Sequence, residues 1–271
     1  MQLARRWSWV LVLVVGIGLY EAVRSAVFQT GNPNLLPALI LLGAAVVPAA
    51  FVTFIAGRRM VFAVHGGLVG ATALIGGVIG VVVAGTLEYR TLQRLGVLPI
   101  LGVGLIEEAA KLIVPVVIVL FTTHRERHPA DGLLIGVASG AGFAVLETMG
   151  YAFVTLVQSR GDLVVVQAVL FERSVLSPAA HMAWTGLTAA ALWQAATEHW
   201  RARGLVRFVV IFAIAVLLHT AWDSAPNLWV DVAVAAVSLV LLWWTTHRLA
   251  APHRRERPPA PTPPSGPPVY R

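Results

Sequence analysis

The sequence predicts an all-α fold, a polytopic transmembrane helical bundle of about 8 spans with both termini in the cytoplasm. Hydrophobic residues make up 58% of the 271 residues and charged residues only 12%, about half the charged share of a soluble domain. The mean hydropathy is +0.78. The apolar residues also fall into runs of about 18 or more, which are long enough to cross a hydrocarbon core as helices.

The predicted spans fill residues 1–250, which we treat as one transmembrane bundle. Turn-forming segments separate several of them, for example Gly31-Asn32-Pro33-Asn34, Gly57-Arg58-Arg59 and Pro226-Asn227. Residues 163–171 are too short to span and are predicted to lie in the outer interface or to lengthen a neighbouring helix. The spans are residues 7–28, 35–56, 61–87, 95–121, 132–158, 174–197, 208–225 and 228–246.

The first span also has some features of a signal peptide, because Arg5 and Arg6 precede an apolar stretch. That stretch continues to Tyr20 without a clean small-x-small cleavage site. The sequence therefore favours a retained first helix.

The arginines between the spans indicate the orientation. With the amino terminus inside, 14 arginines lie on the cytoplasmic side and 5 on the outer side, as the positive-inside rule requires. This distribution explains the net charge of +7 without nucleic-acid binding and makes the lipid bilayer the expected partner.

Residues 251–271 form a Pro-rich, basic segment that is predicted to be a disordered cytoplasmic tail. Zero cysteines exclude a thiolate nucleophile and a cysteine-ligated metal.

Glycines recur at helical spacing within two spans. Gly132, Gly136 and Gly140 follow one another every four residues. The third span carries Gly66, Gly70, Gly76 and Gly80. Such spacing lets helix backbones approach closely in lipid, so it predicts packing and not chemistry.

Ionisable side chains at membrane depth point to the function. Insertion of one charged residue at a helix centre costs roughly 3 kcal/mol, so five unpaired charges would cost about 15 kcal/mol. These side chains are therefore predicted to meet inside the bundle, in a cavity that runs from the membrane middle toward the outer face. They are Glu107, Glu108 and Lys111 in the fourth span, Glu147 in the fifth, His181 in the sixth, and His219 and Asp223 in the seventh.

Their spacing predicts local pairs. Lys111 lies one turn from both Glu107 and Glu108, and Asp223 lies one turn from His219. Four carboxylates against one lysine leave a formal charge of −3, which requires retained protons or a divalent cation in a low dielectric. Two histidines with a carboxylate suit catalytic zinc, whereas a glutamate beside a histidine can activate water without metal.

Other polar residues near the spans have ordinary interpretations. His65 is predicted to be an interfacial histidine. Asp131 needs no role beyond that of a residue at the beginning of a helix. Glu21, Arg24, Glu88 and Asp162 are predicted to be ordinary interface charges.

Together these motifs resemble the PrsW family of intramembrane proteases. Its pattern of EExxK, FxxxE and a late HxxxD is matched by Glu107-Glu108-Ala109-Ala110-Lys111, by Phe143 with Glu147, and by His219 with Asp223. The related CAAX-protease and bacteriocin-processing group has EExxxR, so Lys111 at the shorter spacing favours PrsW. Thr148 departs from the asparagine that often follows the glutamate. The resemblance covers about residues 100–225 and places a protease core at about 95–225.

The resemblance implies cleavage of single-pass membrane proteins such as anti-sigma factors, on the outer side of a bacterial cytoplasmic membrane. The predicted general base is Glu107 or Glu108, with Lys111 setting its charge. The predicted metal ligands, if a zinc ion is used, are His181, His219 and Asp223, with Glu147 as an alternative ligand. Without zinc, the histidines would polarise the scissile carbonyl, Asp223 would orient His219, and Glu147 would share a proton.

Two other functions fit the same residues. Chains of buried Glu, His and Asp also serve as relays in proton-coupled transporters and channels. A non-catalytic scaffold would use the buried charges only to fix helix pairing. Proton-driven uptake and the stability of pair-conserving variants distinguish these alternatives from a protease.

Overall fold

The computed structural model describes residues 2–96, 99–122, 127–224 and 228–250, and all regular structure in these ranges is helical. Short 3₁₀ turns precede α2 and α9, and a π-helical segment at Thr72–Gly76 joins α3 to α4. The helices are α1 (Gln2–Thr30), α2 (Leu36–Ala56), α3 (Gly66–Ala71), α4 (Gly77–Leu95), α5 (Ile100–Lys111), α6 (Ile113–Phe121), α7 (Pro129–Gln158), α8 (Leu163–Leu176), α9 (His181–Thr197), α10 (Ala202–Ser224) and α11 (Leu228–Ala250).

Seven helical stretches in the described ranges are long and apolar enough to cross a membrane. The chain is therefore an all-helical, multi-pass membrane protein, as the composition predicts. The stretch missing from the eight predicted spans is residues 95–121, because it consists of the two shorter helices α5 and α6. The predicted tail at 251–271 and the Pro226-Asn227 turn lie outside the described residues.

Pro115 explains the break between α5 and α6. A proline has no N–H to donate to the carbonyl four residues earlier, and its ring clashes with that carbonyl. The carbonyl in question belongs to Lys111, the last residue of α5. It accepts a hydrogen bond of 2.7 Å from Ser139 Oγ of α7 instead. The broken helix thus stays satisfied at membrane depth and is tied to α7 beside the polar residues.

The predicted sixth span begins later than expected. Residues 163–176 form one helix, α8, and a 3₁₀ turn at Ser177–Ala179 follows it. Ala180 then takes an irregular backbone conformation (φ −115°, ψ −116°), so His181 is the first residue of α9. The segment predicted to lengthen a neighbouring helix is therefore a separate helix that leads into the turn before His181.

The glycines of α7 bring α9 into backbone contact, as their spacing predicts. A Cβ added at Gly132 would lie 2.6 Å from the carbonyl oxygen of Ala189. Added at Gly136 or Gly140, it would overlap the carbonyl oxygens of Thr185 and His181. Gly140 thus fixes the height at which His181 enters the bundle.

The glycines of the third predicted span divide into two groups. A Cβ at Gly76 or Gly80 would press on Ser139 and Phe143 of α7. The space around Gly66 and Gly70 is open. Only the half of this span nearest α7 therefore uses its glycines for close packing.

Asp131 and His65 both have structural roles on the other side of the bundle. Asp131 lies in the first turn of α7, and its Oδ1 accepts hydrogen bonds from the backbone N–H groups of Ala63 (2.9 Å) and Val64 (3.2 Å). His65 caps α3, with Nδ1 accepting from Leu68 N at 3.2 Å. The loop before α3 is thereby anchored to α7.

Candidate active site

The structure brings all seven predicted site residues into one cluster inside the bundle. They come from α5, α7, α9 and α10, four helices far apart in sequence. Glu107, Glu108, Lys111, His181 and His219 are buried, Glu147 is partly exposed, and Asp223 is exposed. The cluster is thus enclosed by protein at its base and exposed toward the end of α10.

Lys111 lies at the centre of the cluster and is fully buried. Its Nζ donates to Glu108 Oε1 at 2.8 Å and lies 3.3 Å from Glu107 Oε2. It also lies 2.8 Å from His181 Nδ1 and 4.3 Å from the centre of the Phe143 ring. The lysine therefore neutralises the glutamates of its own helix and reaches α9 as well. Lys111 thus contacts both of the glutamates that lie one turn before it in the sequence.

His219 is held on two sides by carboxylates. Its Nδ1 lies 2.8 Å from Glu108 Oε1, while its Nε2 lies 3.2 Å from Asp223 Oδ2 and 3.5 Å from Glu107 Oε2. The ring stacks on Trp184, with the ring centres 5.0 Å apart, and the Trp184 indole N–H donates to Ser238 Oγ of α11 at 2.8 Å. These contacts fix the plane of the imidazole and leave Nε2 facing the open end.

His181 links Lys111 to Glu147. An ammonium at Lys111 donates to Nδ1, which places the proton of a neutral His181 on Nε2. That nitrogen lies 3.0 Å from Glu147 Oε2. The His181 and His219 rings are 5.2 Å apart, centre to centre. The two histidines are therefore neighbours, as the zinc prediction requires.

Arg173 is a site residue that sequence reasoning missed. Arg173 is one of the five arginines that the predicted orientation assigns to the outer side. In the structure it lies on α8, with Nη2 2.9 Å from Glu147 Oε2. Its guanidinium also lies 3.9 Å from the centre of the Tyr151 ring. No spacing in the sequence connects α8 with Glu147, so only the packing of α8 on α7 reveals the pair.

Glu88 is a second missed residue, interpreted from the sequence as an ordinary interface charge. Its Oε1 is buried and has no hydrogen-bond partner among the described residues. The carboxyl group interacts electrostatically with Glu147, Lys111 and His219. One turn earlier on α4, Ala84 packs against Ala110 and Phe143. This packing turns the same helix face, and Glu88 with it, toward the cluster.

The formal charge of the cluster stays at −3 when both missed residues are included. Glu88 adds one carboxylate and Arg173 adds one cation to the predicted set. Five carboxylates then oppose two cations, with both histidines neutral. The requirement for a bound cation or retained protons is therefore unchanged.

All four helices carry the cluster toward the same end of the bundle. At about 1.5 Å per residue, Glu107 lies about 11 Å from the beginning of α5, and His219 lies about 8 Å from the end of α10. His181 begins α9, and Glu147 lies about 16 Å from the end of α7. Glu107 is shallower than the roughly 18 Å that the predicted span gives, because α5 begins at Ile100 and not at residue 95.

The side chains can accommodate a metal ion. One atom each from Glu107, His181 and His219 lie within 4.8 Å of one another, all three residues being buried. Glu107 Oε2 is buried without a hydrogen-bond partner in the described part of the chain. An oxygen and two imidazole nitrogens are ordinary zinc ligands. Asp223 contacts His219 but does not belong to this group, and His181 would have to release Lys111 or Glu147 to offer a lone pair.

Comparison with known proteins gives a family. The model of the family described as PrsW family intramembrane metalloprotease matches residues 31–246. No curated protein and no solved structure showed a significant match. The match covers most of the chain, including every residue of the cluster. The chain therefore belongs to the PrsW family, and it is an intramembrane protease.

Proposed function

We propose that this PrsW-family protease hydrolyses a peptide bond near the outer side of the membrane, in a single-pass membrane protein of the anti-sigma-factor type. The observation that carries the proposal is the buried carboxylate of Glu107 beside two histidines. Its Oε2 lies in ion-pair range of Lys111 and His219 but accepts no hydrogen bond within the described residues. The cluster opens toward the end of the bundle that the arginine distribution predicts to be the outer side. The substrate class follows from the family resemblance.

Glu107 is the residue that we assign to activation of water. Glu108 is the weaker candidate, because its Oε1 already accepts from Lys111 and contacts His219 while the residue is only 1% exposed. Glu107 is less enclosed, at 7% exposed, and its Oε2 accepts no hydrogen bond within the described residues. As a base it takes one proton from the attacking water and passes it to the nitrogen of the leaving amine.

The neighbouring residues keep this carboxylate in place. Lys111 balances the charge of Glu107 and Glu108, and Glu108 orients His219. Glu147 orients His181 and is itself held by Arg173. Asp223 lies beside His219 at the open end, where the substrate would approach.

The same residues would hold zinc, with Glu107, His181 and His219 as ligands. Bound there, zinc would supply a Lewis acid that polarises the scissile carbonyl and acidifies water. Glu107 is essential in both mechanisms, as the base without metal or as a ligand of the zinc ion.

Mapping of new protein N-termini tests the proposal. Cells expressing the wild type, Glu107→Gln or the control Glu172→Gln at matched levels are compared; Glu172 is an exposed glutamate of α8. We expect juxtamembrane cuts in single-pass proteins with the wild type and the control, and a loss of about 100-fold or more with Glu107→Gln. Undiminished cutting by folded Glu107→Gln would refute the role of this residue.

Metal analysis of the purified proteins distinguishes the zinc-dependent mechanism from the metal-free one. Zinc at about one ion per wild-type chain, lost in His219→Ala, supports the zinc version. Stoichiometric metal in neither protein removes it and leaves Glu107 as a metal-free base.

A further inference from the structure

A polar cavity lies at the opposite end of the bundle from the cluster. It has a volume of about 300 Å³ and is formed where α1 begins and where α2 and α11 end. In the predicted orientation this is the cytoplasmic side. Its lining includes Arg6, Arg58, Arg59, Trp7, Trp9 and Trp243.

The charge of this cavity is uncompensated within the described part of the chain. Three arginines line it and no Asp or Glu does. The arginine–carboxylate pairs in the described residues belong to Arg24, Arg173 and Arg207. Like charges that share a cavity repel one another, so an anion between them is stabilised.

Aromatic rings hold the cavity in shape. The Arg58 guanidinium lies 4.8 Å from the centre of the Phe54 ring, and Trp9 packs edge-on against the same ring at 5.7 Å. Across the cavity, His247 stacks on Trp243 at 5.6 Å. Stacking leaves the N–H edge of Arg58 available, which is the edge that binds phosphate in a bidentate manner.

The surroundings identify the source of the anion. Trp7 and Trp243 are exposed, as is typical of residues at the level of lipid headgroups. One turn deeper on α1, Leu11 is also exposed and offers an apolar surface for an acyl chain. A ligand with a phosphate at the arginines and hydrocarbon along α1 satisfies both surfaces.

We propose that this cavity binds the phosphate group of an anionic phospholipid from the cytoplasmic leaflet. The site is independent of the proposed proteolytic chemistry, because none of its lining residues belongs to the cluster around Lys111. It would hold the beginning of α1 and the end of α2 together by bridging Arg6 with Arg58 and Arg59, which otherwise repel.

Native mass spectrometry of the purified full chain tests this site. The probes are phosphatidylglycerol and phosphatidylcholine with the same acyl chains. The variant Arg58→Gln/Arg59→Gln is compared with Arg201→Gln/Arg203→Gln, which removes equal charge from exposed residues that do not line the cavity. We expect saturable phosphatidylglycerol binding that weakens about tenfold or more in the first variant and less than about twofold in the second.

Three results would overturn the proposal. Equal loss in both variants would indicate diffuse attraction to the surface, and equal binding of the two lipids would exclude a charge-selective site. Inorganic phosphate that binds saturably in the absence of lipid, as tightly as phosphatidylglycerol, would assign the cavity to a soluble phosphate compound. The melting temperature of each variant in detergent must match the wild type, so that loss of binding is not loss of fold.

Discussion

Helices α1 and α7 are nearly equal in length, at 29 and 30 residues, but occupy opposite environments. The most apolar 18-residue window of α1 has a mean hydropathy of 1.9, and 6% of that window is buried within the protein. The corresponding window of α7 has a lower mean hydropathy of 1.5 and is 72% buried. The less hydrophobic helix is the one at the centre.

The difference shows which property gives a helix a central position in a membrane protein. Lipid tails are as apolar as leucine, so hydrophobicity does not drive one helix against another. Small residues do, because they let backbones approach and gain van der Waals contact. In α7 the carbonyl oxygens of α9 lie against Gly132, Gly136 and Gly140. The polar cluster lies in this small-residue core because the surrounding helices there exclude lipid.

Removal of a charge from the central cluster should destabilise the protein much more than removal of a charge from α1, and this difference should be the largest of those predicted here. Lys111→Met leaves Glu108 buried without its ammonium partner, and loss of one member of a buried pair costs about 3–5 kcal/mol. Arg24→Met breaks the exposed Arg24–Glu21 pair of α1 and should not change stability measurably. Thermal unfolding in detergent measures both variants.

A double variant sharpens this test. Lys111→Met with Glu108→Gln removes both charges of the pair and should recover part of the lost stability. Equal melting temperatures for Lys111→Met and Arg24→Met would contradict the central placement of the lysine.

A methyl group added to α7 should have the next largest effect. At Gly142 it would overlap the backbone carbonyl of Ala73, so Gly142→Ala should cost about 3 kcal/mol through forced separation of the helices. Gly150→Ala is the matched control in the same helix, since the space around Gly150 is open. Similar unfolding temperatures for the two variants would show that close approach at Gly142 is not needed.

Truncation of a leucine should have the smallest effect of the three. Leu133 of α7 is 0% exposed and Leu11 of α1 is 66% exposed. Leu133→Ala leaves a cavity and should cost about 2 kcal/mol, whereas lipid fills the space left by Leu11→Ala. If Leu11→Ala is as destabilising in detergent as Leu133→Ala, α1 has a packing partner that this arrangement lacks.

Much of the fold could be predicted from local patterns. Runs of apolar residues predict helices because a membrane requires internal backbone hydrogen bonds, and the glycine spacing of α7 predicts a close helix neighbour. The split of the fourth span is harder to predict. Pro115 is visible in the sequence, but a proline in a transmembrane helix breaks it only where another group can satisfy the freed carbonyl. That group is Ser139 of α7, 28 positions from Lys111.

The sequence by itself determined the membrane location, the helical fold and the polar residues around Glu107 and His219. Each of these depends on composition or on contacts within one helix turn, and the motif spacing indicated the family that the comparison then established. Only the tertiary structure decided that Arg173 and Glu88 face the same cluster, and that Glu108 accepts a hydrogen bond from Lys111 while Glu107 Oε2 accepts none within the described residues. These facts depend on how separate helices rotate and pack, and packing in lipid is set by shape across the whole bundle.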